Sequence, residues 1–204
     1  MSAAIDAVII DSGGANLASL RYALDRLGAR SAVSCDPALI AAAPRVLLPG
    51  VGAAADAMTR LRSQGLDRLI PQLRSPVLGI CLGMQLLFEH SAEGATGCLG
   101  VIAGSVERLR SAPGLPVPHM GWNTLELQRE DALLAGLGNT DRFYFVHSFA
   151  APINGCLLAS VHYGEARCAV VRQHNFFGVQ FHPERSSAAG ARILRNFLEL
   201  PTCC

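Results

Sequence analysis

The stretch "PVLGICLGMQLLFEH", residues 76–90, decides the fold. Its apolar run "PVLGI" (76–80) reads as a buried strand, and the pattern after Cys81 reads as a helix over 82–89. Between the two stands Gly-x-Cys-x-Gly, the thiol counterpart of the nucleophile elbow. A turn this sharp crowds side chains, so Gly79 and Gly83 remove the Cβ atoms that would clash. The thiol then projects from the carboxyl end of a strand, where open α/β sheets place their ligands. It also meets a helix N-terminus, whose unpaired N–H groups and dipole favour thiolate over thiol. The competing reading of Cys81 is a small buried hydrophobe, the usual role of a free cysteine.

Outward from this point, the first 90 residues alternate strand and helix. "AVII" (7–10) and "RVLLPG" (45–50) read as buried strands. "NLASLRYALDRLG" reads as a helix, with Asn16 as N-cap, Leu17, Leu20, Leu24 and Leu27 on one face, and Gly28 as the stop. A second helix runs from about Ala54 to Gln64 and ends at Gly65. This alternation predicts a mostly parallel sheet with helices on both faces. The second half reads as strands: 105–109, 124–128, 142–149, 156–163, 168–173 and 177–181. They are expected as antiparallel additions to the same sheet in a single domain, 1–204, closed by the helix "AGARILRNFLEL" (189–200).

A cysteine nucleophile needs a base. Among the six histidines, only His182 has an acid at strand spacing, in "GVQFHPERS". Residues two apart on an extended chain face one side, so Glu184 can reach the imidazole. Pro183 keeps His182 extended. The acid would set the tautomer and stabilise the imidazolium, as in other nucleophile–base–acid sets. The alternatives are a surface turn, or a zinc deaminase H-x-E, which fails for lack of the P-C-x-x-C that completes such a site. "LPGVG" (48–52) follows a strand and could turn N–H groups toward a developing oxyanion. The N–H of Leu82 is the natural second donor.

Composition excludes several classes. The net charge is +1, only 16% of residues are charged, and there is no basic block, so neither nucleic acid nor an anionic membrane is an expected partner. All 17 basic residues are arginine, which reads as genomic base composition. The N-terminus lacks the positive region of a signal peptide, and no apolar run approaches the ~20 residues of a membrane span. Seven irregularly spaced cysteines, with no C-x-x-C, predict a reduced cytoplasmic protein rather than a disulfide scaffold. No cofactor or metal site is visible.

Six ordered stretches resemble the class I glutamine amidotransferases, and among them the glutaminase subunits that serve imidazole glycerol phosphate synthesis in histidine biosynthesis. They are "IIDSGGANL" (9–17), "LPGVGA" (48–53), "GICLGMQLLF" (79–88), "VPHMGWN" (117–123), "YFVHSF" (144–149) and "GVQFHPERS" (178–186). The resemblance implies Cys81 as nucleophile on the glutamine side-chain amide, His182 as proton shuttle, Glu184 as its orienting acid, and a γ-glutamyl thioester. It implies Gly52 and Leu82 as oxyanion donors. Gln85 and Glu93 would hold the α-amino end of glutamine, with His147, Ser148 and Phe149 closing the pocket.

The resemblance further implies that ammonia passes to a separate (β/α)₈-barrel cyclase, a heterodimer partner. Asn16, Met120, Trp122 and Arg185 match interface positions. Ser12, Ala15, Phe149 and Arg185 depart from the family's usual tyrosine, glycine, tyrosine and lysine. Rival readings are a glutaminase serving another synthase, a silent docking subunit and a cysteine peptidase.

Overall fold

The computed structural model describes residues 5–12 and 17–202. Asn16, Ala15, Cys203 and Cys204 lie outside the described residues.

Five strands form the parallel part of an eight-stranded sheet. They are β1 (Ala7–Ile10), β2 (Ser31–Ser34), β3 (Val46–Gly50), β4 (Val77–Cys81) and, late in the chain, Phe176–Val179. Their order is β2-β1-β3-β4, with Phe176–Val179 next to β4. Short buried runs such as AVII and VLLPG are apolar on both faces because both faces are covered. On one side, Ala7 and Ile9 of β1 join the core of α1 (Leu17–Arg26) and the closing helix. On the other, Val8 and Ile10 meet α2 (Pro37–Ala41), α3 (Ala54–Ser63) and α4 (Leu66–Leu69).

Helix α1 buries Leu20, Ala23 and Leu24. Gly28 ends it at φ +79°, with the Ala29 N–H returning to the Leu24 carbonyl at 3.1 Å. The strand β2 and helix α2 carry little sequence signal, because β2 is a four-residue edge strand with no buried residue.

The helix expected over 82–89 is only α5 (Leu82–Leu86). Phe88–Ser91 forms β5 instead. It pairs with β6 (Thr96–Gly97) and, in parallel, with β7 (Ile102–Arg108). These pairings bury Phe88 completely, and tertiary contacts override local helix propensity.

The second half departs from expectation in the same way. Strands 105–109 and 142–149 do not join the main sheet. β8 (His119–Thr124) pairs with β10 (Arg142–His147) as a separate ribbon, and β11 (Phe149–Ala150) pairs with β7. The expected strand 124–128 splits into the end of β8 and β9 (Glu126–Leu127). Only β9, β12 (Leu157–Tyr163) and β13 (Glu165–Gln173) extend the main sheet antiparallel. The strand Phe176–Val179, β14, is parallel to β4 and so delivers its carboxyl end beside Cys81. Helix α6 (Ser187–Glu199) closes the fold, burying Ile193, Leu194 and Phe197.

The elbow rests on three glycines. A Cβ on Gly83 would stand 1.7 Å from the Leu48 carbonyl oxygen, and one on Gly79 2.7 Å from that of Gly83. Gly178 of β14 leaves room for Met84, whose Cγ would lie 2.6 Å from a Cβ there. Helix α5 thus lies directly on three neighbouring strands.

Gly83→Ala is therefore expected to remove about 3 kcal/mol of stability, because backbone cannot yield at that contact. Gly28→Ala, with open space around its Cβ, should cost only about 1–2 kcal/mol for its positive φ. Urea unfolding midpoints of the two variants check the contrast.

Candidate active site

Cys81 ends β4 at φ +54°, ψ −110°, a strained backbone for a residue with a Cβ. It lines a cavity of about 320 Å³ with Val51, Gly52, Leu82, Gln85, Glu93, Pro118, Val146, His147, Ser148, Phe149 and His182. Nine of these were expected at the site from sequence: Cys81, His182, Gly52, Leu82, Gln85, Glu93, His147, Ser148 and Phe149. Glu184 stands just behind, against His182.

His182 arrives from the loop after β14 with φ −96° and ψ 99°. Its backbone N–H donates to the Tyr144 carbonyl at 2.9 Å. The Ser186 hydroxyl donates to the His182 carbonyl at 2.6 Å and accepts the Tyr144 N–H at 2.9 Å, stitching this loop to β10. The chain then forms a single 3₁₀ turn, Pro183–Arg185. Glu184 reaches the ring through that turn, not by the strand alternation expected from the spacing. A Cβ on Gly190 would stand 2.0 Å from the Pro183 carbonyl oxygen, so the absence of one lets α6 pack under this turn.

Nδ1 of His182 donates to Glu184 Oε1 at 2.8 Å, which leaves Nε2 for the Cys81 thiol that the ring also contacts. Burial disfavours the imidazolium. The hydrogen bonds and charges of Cys81 and Glu184 outweigh burial and push the ring up to about 10. The second oxygen of Glu184 is buried without a partner, so the carboxylate acts chiefly on this ring. Protonation of His182 contributes stability that is complete below about 6.5 and is lost as the pH rises through about 10.

A second histidine pair flanks the pocket and escaped the sequence reading, which had only His147. A backbone carbonyl accepts only, so His147 Nδ1 carries the hydrogen it gives the Phe149 oxygen at 2.8 Å. Its Nε2 must then accept from His119 Nδ1, 3.0 Å away. Nε2 of His119 in turn faces the Asn123 amide nitrogen at 3.4 Å. The His119 ring is stacked between Phe145 and Tyr163, at 4.9 and 4.0 Å between centroids. Burial pulls both histidines down to about 4, and every ring nitrogen is already committed.

Glu93 lines the cavity while its Oε2 accepts the Ala54 N–H at 2.8 Å, capping α3. Gln85 spends its amide nitrogen on the Phe149 carbonyl and the Gln180 side chain, at 2.8 and 2.9 Å. Gln180 was missed, although its position two residues before His182 in an otherwise apolar run was a usable signal. Ser12, where the related pattern has tyrosine, is buried and donates to the Pro49 carbonyl at 2.8 Å, at the base of the Gly-rich turn.

The described interface candidates cluster outside the pocket. Met120 and Trp122 lie on one face of β8, 62% and 49% exposed. Trp122 meets the Tyr144 ring edge-on, and the Arg185 guanidinium sits 4.7 Å above the same ring. A smaller cavity of about 110 Å³ is lined by His182 and Glu184 together with Arg185, Val51 and Leu20. It reaches from the His182 ring to Arg185. Among the described residues, no group of three His, Cys, Asp or Glu could hold a metal, and no helix is long and apolar enough to cross a membrane.

The family profile for glutamine amidotransferase class-I matches residues 8–200. An "Imidazole glycerol phosphate synthase subunit HisH" of Xanthomonas campestris pv. campestris is 54% identical over 195 residues, spanning 96% of this chain and 98% of that one. Its namesake in Xylella fastidiosa is 52% identical over the same spans. Solved structures share the fold at lower identity. A glutamine amidotransferase superposes with a TM-score of 0.71 at 22% identity, covering 95% of this chain and 97% of that chain. PurLQS from Thermotoga maritima gives 0.71 at 19%, covering 94% and 96%.

The buried histidine pair predicts an acid-sensitive fold. Between about pH 6.5 and about 4 the unfolded chain takes up protons at His119 and His147 that the folded chain refuses, so stability is complete above this window and falls as the pH drops through it. Thermal melts from about pH 6.5, where the His182 contribution is complete, down to about pH 5 should show a falling midpoint. In His119→Gln the slope should shrink by up to about 1.4 kcal/mol per pH unit, one proton's worth.

Proposed function

Because the chain belongs to the class-I glutamine amidotransferases, and within them groups with the HisH subunits of imidazole glycerol phosphate synthase, we propose that it releases ammonia from glutamine by a Cys81–His182–Glu184 mechanism. One observation carries the mechanism: nucleophile, base and orienting acid, from β4 and from the loop after β14, converge on one cavity lined by the other residues expected to bind glutamine. The activity is that of a glutaminase subunit in histidine biosynthesis.

The geometry supports the following course. The Cys81 thiolate attacks the side-chain carbonyl carbon of glutamine, and negative charge gathers on the oxygen. The turn at Val51–Gly52 and the N–H of Leu82 stand where they can receive it. As the tetrahedral carbon collapses, the C–N bond breaks, His182 gives its Nε2 proton to the leaving nitrogen, and ammonia departs. A γ-glutamyl thioester remains. Water then gives a proton to His182 as its oxygen attacks the thioester. The C–S bond breaks, the electron pair returns to sulfur, and glutamate is released. Glu184 orients the ring throughout and stabilises its positive charge in the states where Nε2 is protonated.

The amide oxygen of Gln85 and the free oxygen of Glu93 are the acceptors suited to the α-ammonium group of glutamine, since their other polar atoms are already bonded. His147, Ser148 and Phe149 form the facing wall. Ammonia is delivered to a (β/α)₈-barrel cyclase, which makes imidazole glycerol phosphate and an aminoimidazole carboxamide ribotide. The small cavity from His182 to Arg185 supports an exit on the Arg185 side. Exposed Trp and Arg are the anchor types of protein interfaces.

Assembly with a barrel cyclase, assayed with glutamine and then with ammonia, tests the assignment. Both should support product formation in the complex. Cys81→Ser should abolish the glutamine-dependent reaction and spare the ammonia-dependent one. If glutamine never replaces ammonia with the parent chain, the pathway assignment fails. The free chain should turn over glutamine far more slowly than the complex, by population shift toward a closed oxyanion hole; equal rates would contradict this.

A further inference from the structure

Gln180 is fully buried at the end of an apolar strand, where an amide is costly unless both its ends are bonded. Its nitrogen donates to the Cys81 sulfur at 3.7 Å, and its oxygen accepts from Gln85 Nε2 at 2.9 Å. An amide can in principle be turned end for end, so what holds this one decides its role. The Phe149 carbonyl can only accept, and it takes a hydrogen from Gln85 Nε2 at 2.8 Å. That pins the nitrogen end of Gln85. Its second N–H must then face the oxygen end of Gln180, which leaves the nitrogen end of Gln180 facing sulfur. A flipped Gln180 would oppose two N–H groups to one another at Gln85 and present an oxygen to the thiolate.

The Phe149 carbonyl is itself held. It also accepts from His147 Nδ1 at 2.8 Å, in the chain that runs through His119 to Asn123. Asn123 donates in addition to the His162 carbonyl at 3.0 Å. Gln85, His147 and Asn123 are each oriented by a backbone carbonyl, and Gln180 and His119 take their orientation from these neighbours.

We propose that Gln180 is a further catalytic residue, whose side-chain N–H, locked in orientation through Gln85 by the Phe149 carbonyl, donates to the Cys81 sulfur whenever that atom is negative. The proposal rests on the glutaminase reading and deepens it. In the resting enzyme the donor favours the thiolate over the thiol. In the thioester the sulfur is neutral and the bond is weak. As water attacks and the C–S bond breaks, the returning electron pair rebuilds the charge that Gln180 faces, so the donor also assists release of glutamate. His182 cannot serve both needs, because in that step it accepts the proton of the attacking water.

The test uses the full chain and its complex with the cyclase, with Gln180→Met and Gln180→Leu as apolar replacements of different shape. Iodoacetamide alkylation of Cys81 is followed by peptide mass spectrometry across a pH series, with exposed Cys35 as the internal reference. Cys81 should react roughly tenfold more slowly near neutral pH in both variants, as expected for loss of one hydrogen bond to a charged group. Its profile should move to higher pH, while Cys35 is unchanged. Glutamine-dependent turnover of the complex should fall by a similar factor, with ammonia-dependent synthesis retained as proof of folding and docking. Variants that sustain ammonia-dependent synthesis yet alkylate Cys81 at the parent rate and pH would overturn the proposal. If one variant does not fold, the other decides by the same readout. A parent complex without glutaminase activity would instead defeat the functional reading, and the alkylation comparison would still judge Gln180.

Discussion

The site depends on the close approach between the first turn of α5 and the carbonyl of Leu48, which only a bare α-carbon at Gly83 permits. That contact presses a five-residue helix, too short to be stable alone, onto β3, β4 and β14. It forces the chain to reverse within one residue, and that residue is Cys81, left with a positive φ. Strain of this kind costs about 1–3 kcal/mol and persists because Leu82, Met84 and Leu86 are all buried around it. Geometry that holds the sulfur at the rim of the sheet is thus maintained by hydrophobic burial a few residues away.

A second constraint orders the polar groups. The pocket is cut into an apolar interior, so each buried amide or imidazole must find a partner, and each partner dictates the next orientation. Glu184 sets the tautomer of His182. The Phe149 carbonyl sets that of His147 and the amide of Gln85. Ser186 ties the His182 loop to β10 through one hydroxyl that both donates and accepts. β10 also pairs with β8, which carries Met120 and Trp122 on the surface. The His182 loop and the exposed patch are therefore tied to one ribbon.

Much of this was legible in the chain, and the failures have physical reasons. The elbow, the parallel strands β1, β3 and β4, and the helices α1 and α3 announce themselves by apolar runs, periodicity and glycines. Phe88–Ser91 did not, because its strand character comes from pairing with β7, some fifteen residues on. The strands 105–109 and 142–149 were read as strands but assigned to the wrong sheet, since period-two patterning reports a buried face and not which neighbour covers it. Gln180 and His119 were passed over. A buried polar residue looks unremarkable in sequence until its partners, 95 and 28 residues away, are seen.

The sequence by itself determined which groups are candidates for the chemistry: a thiol on a turn flanked by glycines, a histidine held extended before proline, and a glutamate two residues further. Those are local matters, settled by dihedral sterics and by residues a few positions apart. What only the tertiary structure decided was the meeting of these pieces. β14 returns from the far end of the chain to lie parallel to β4, and a turn rather than a strand brings Glu184 to the ring. A line of amides and imidazoles then fixes which atoms face the sulfur. Long-range register and the pairing of buried polar groups depend on what the whole core brings together, and no short window of sequence contains that information.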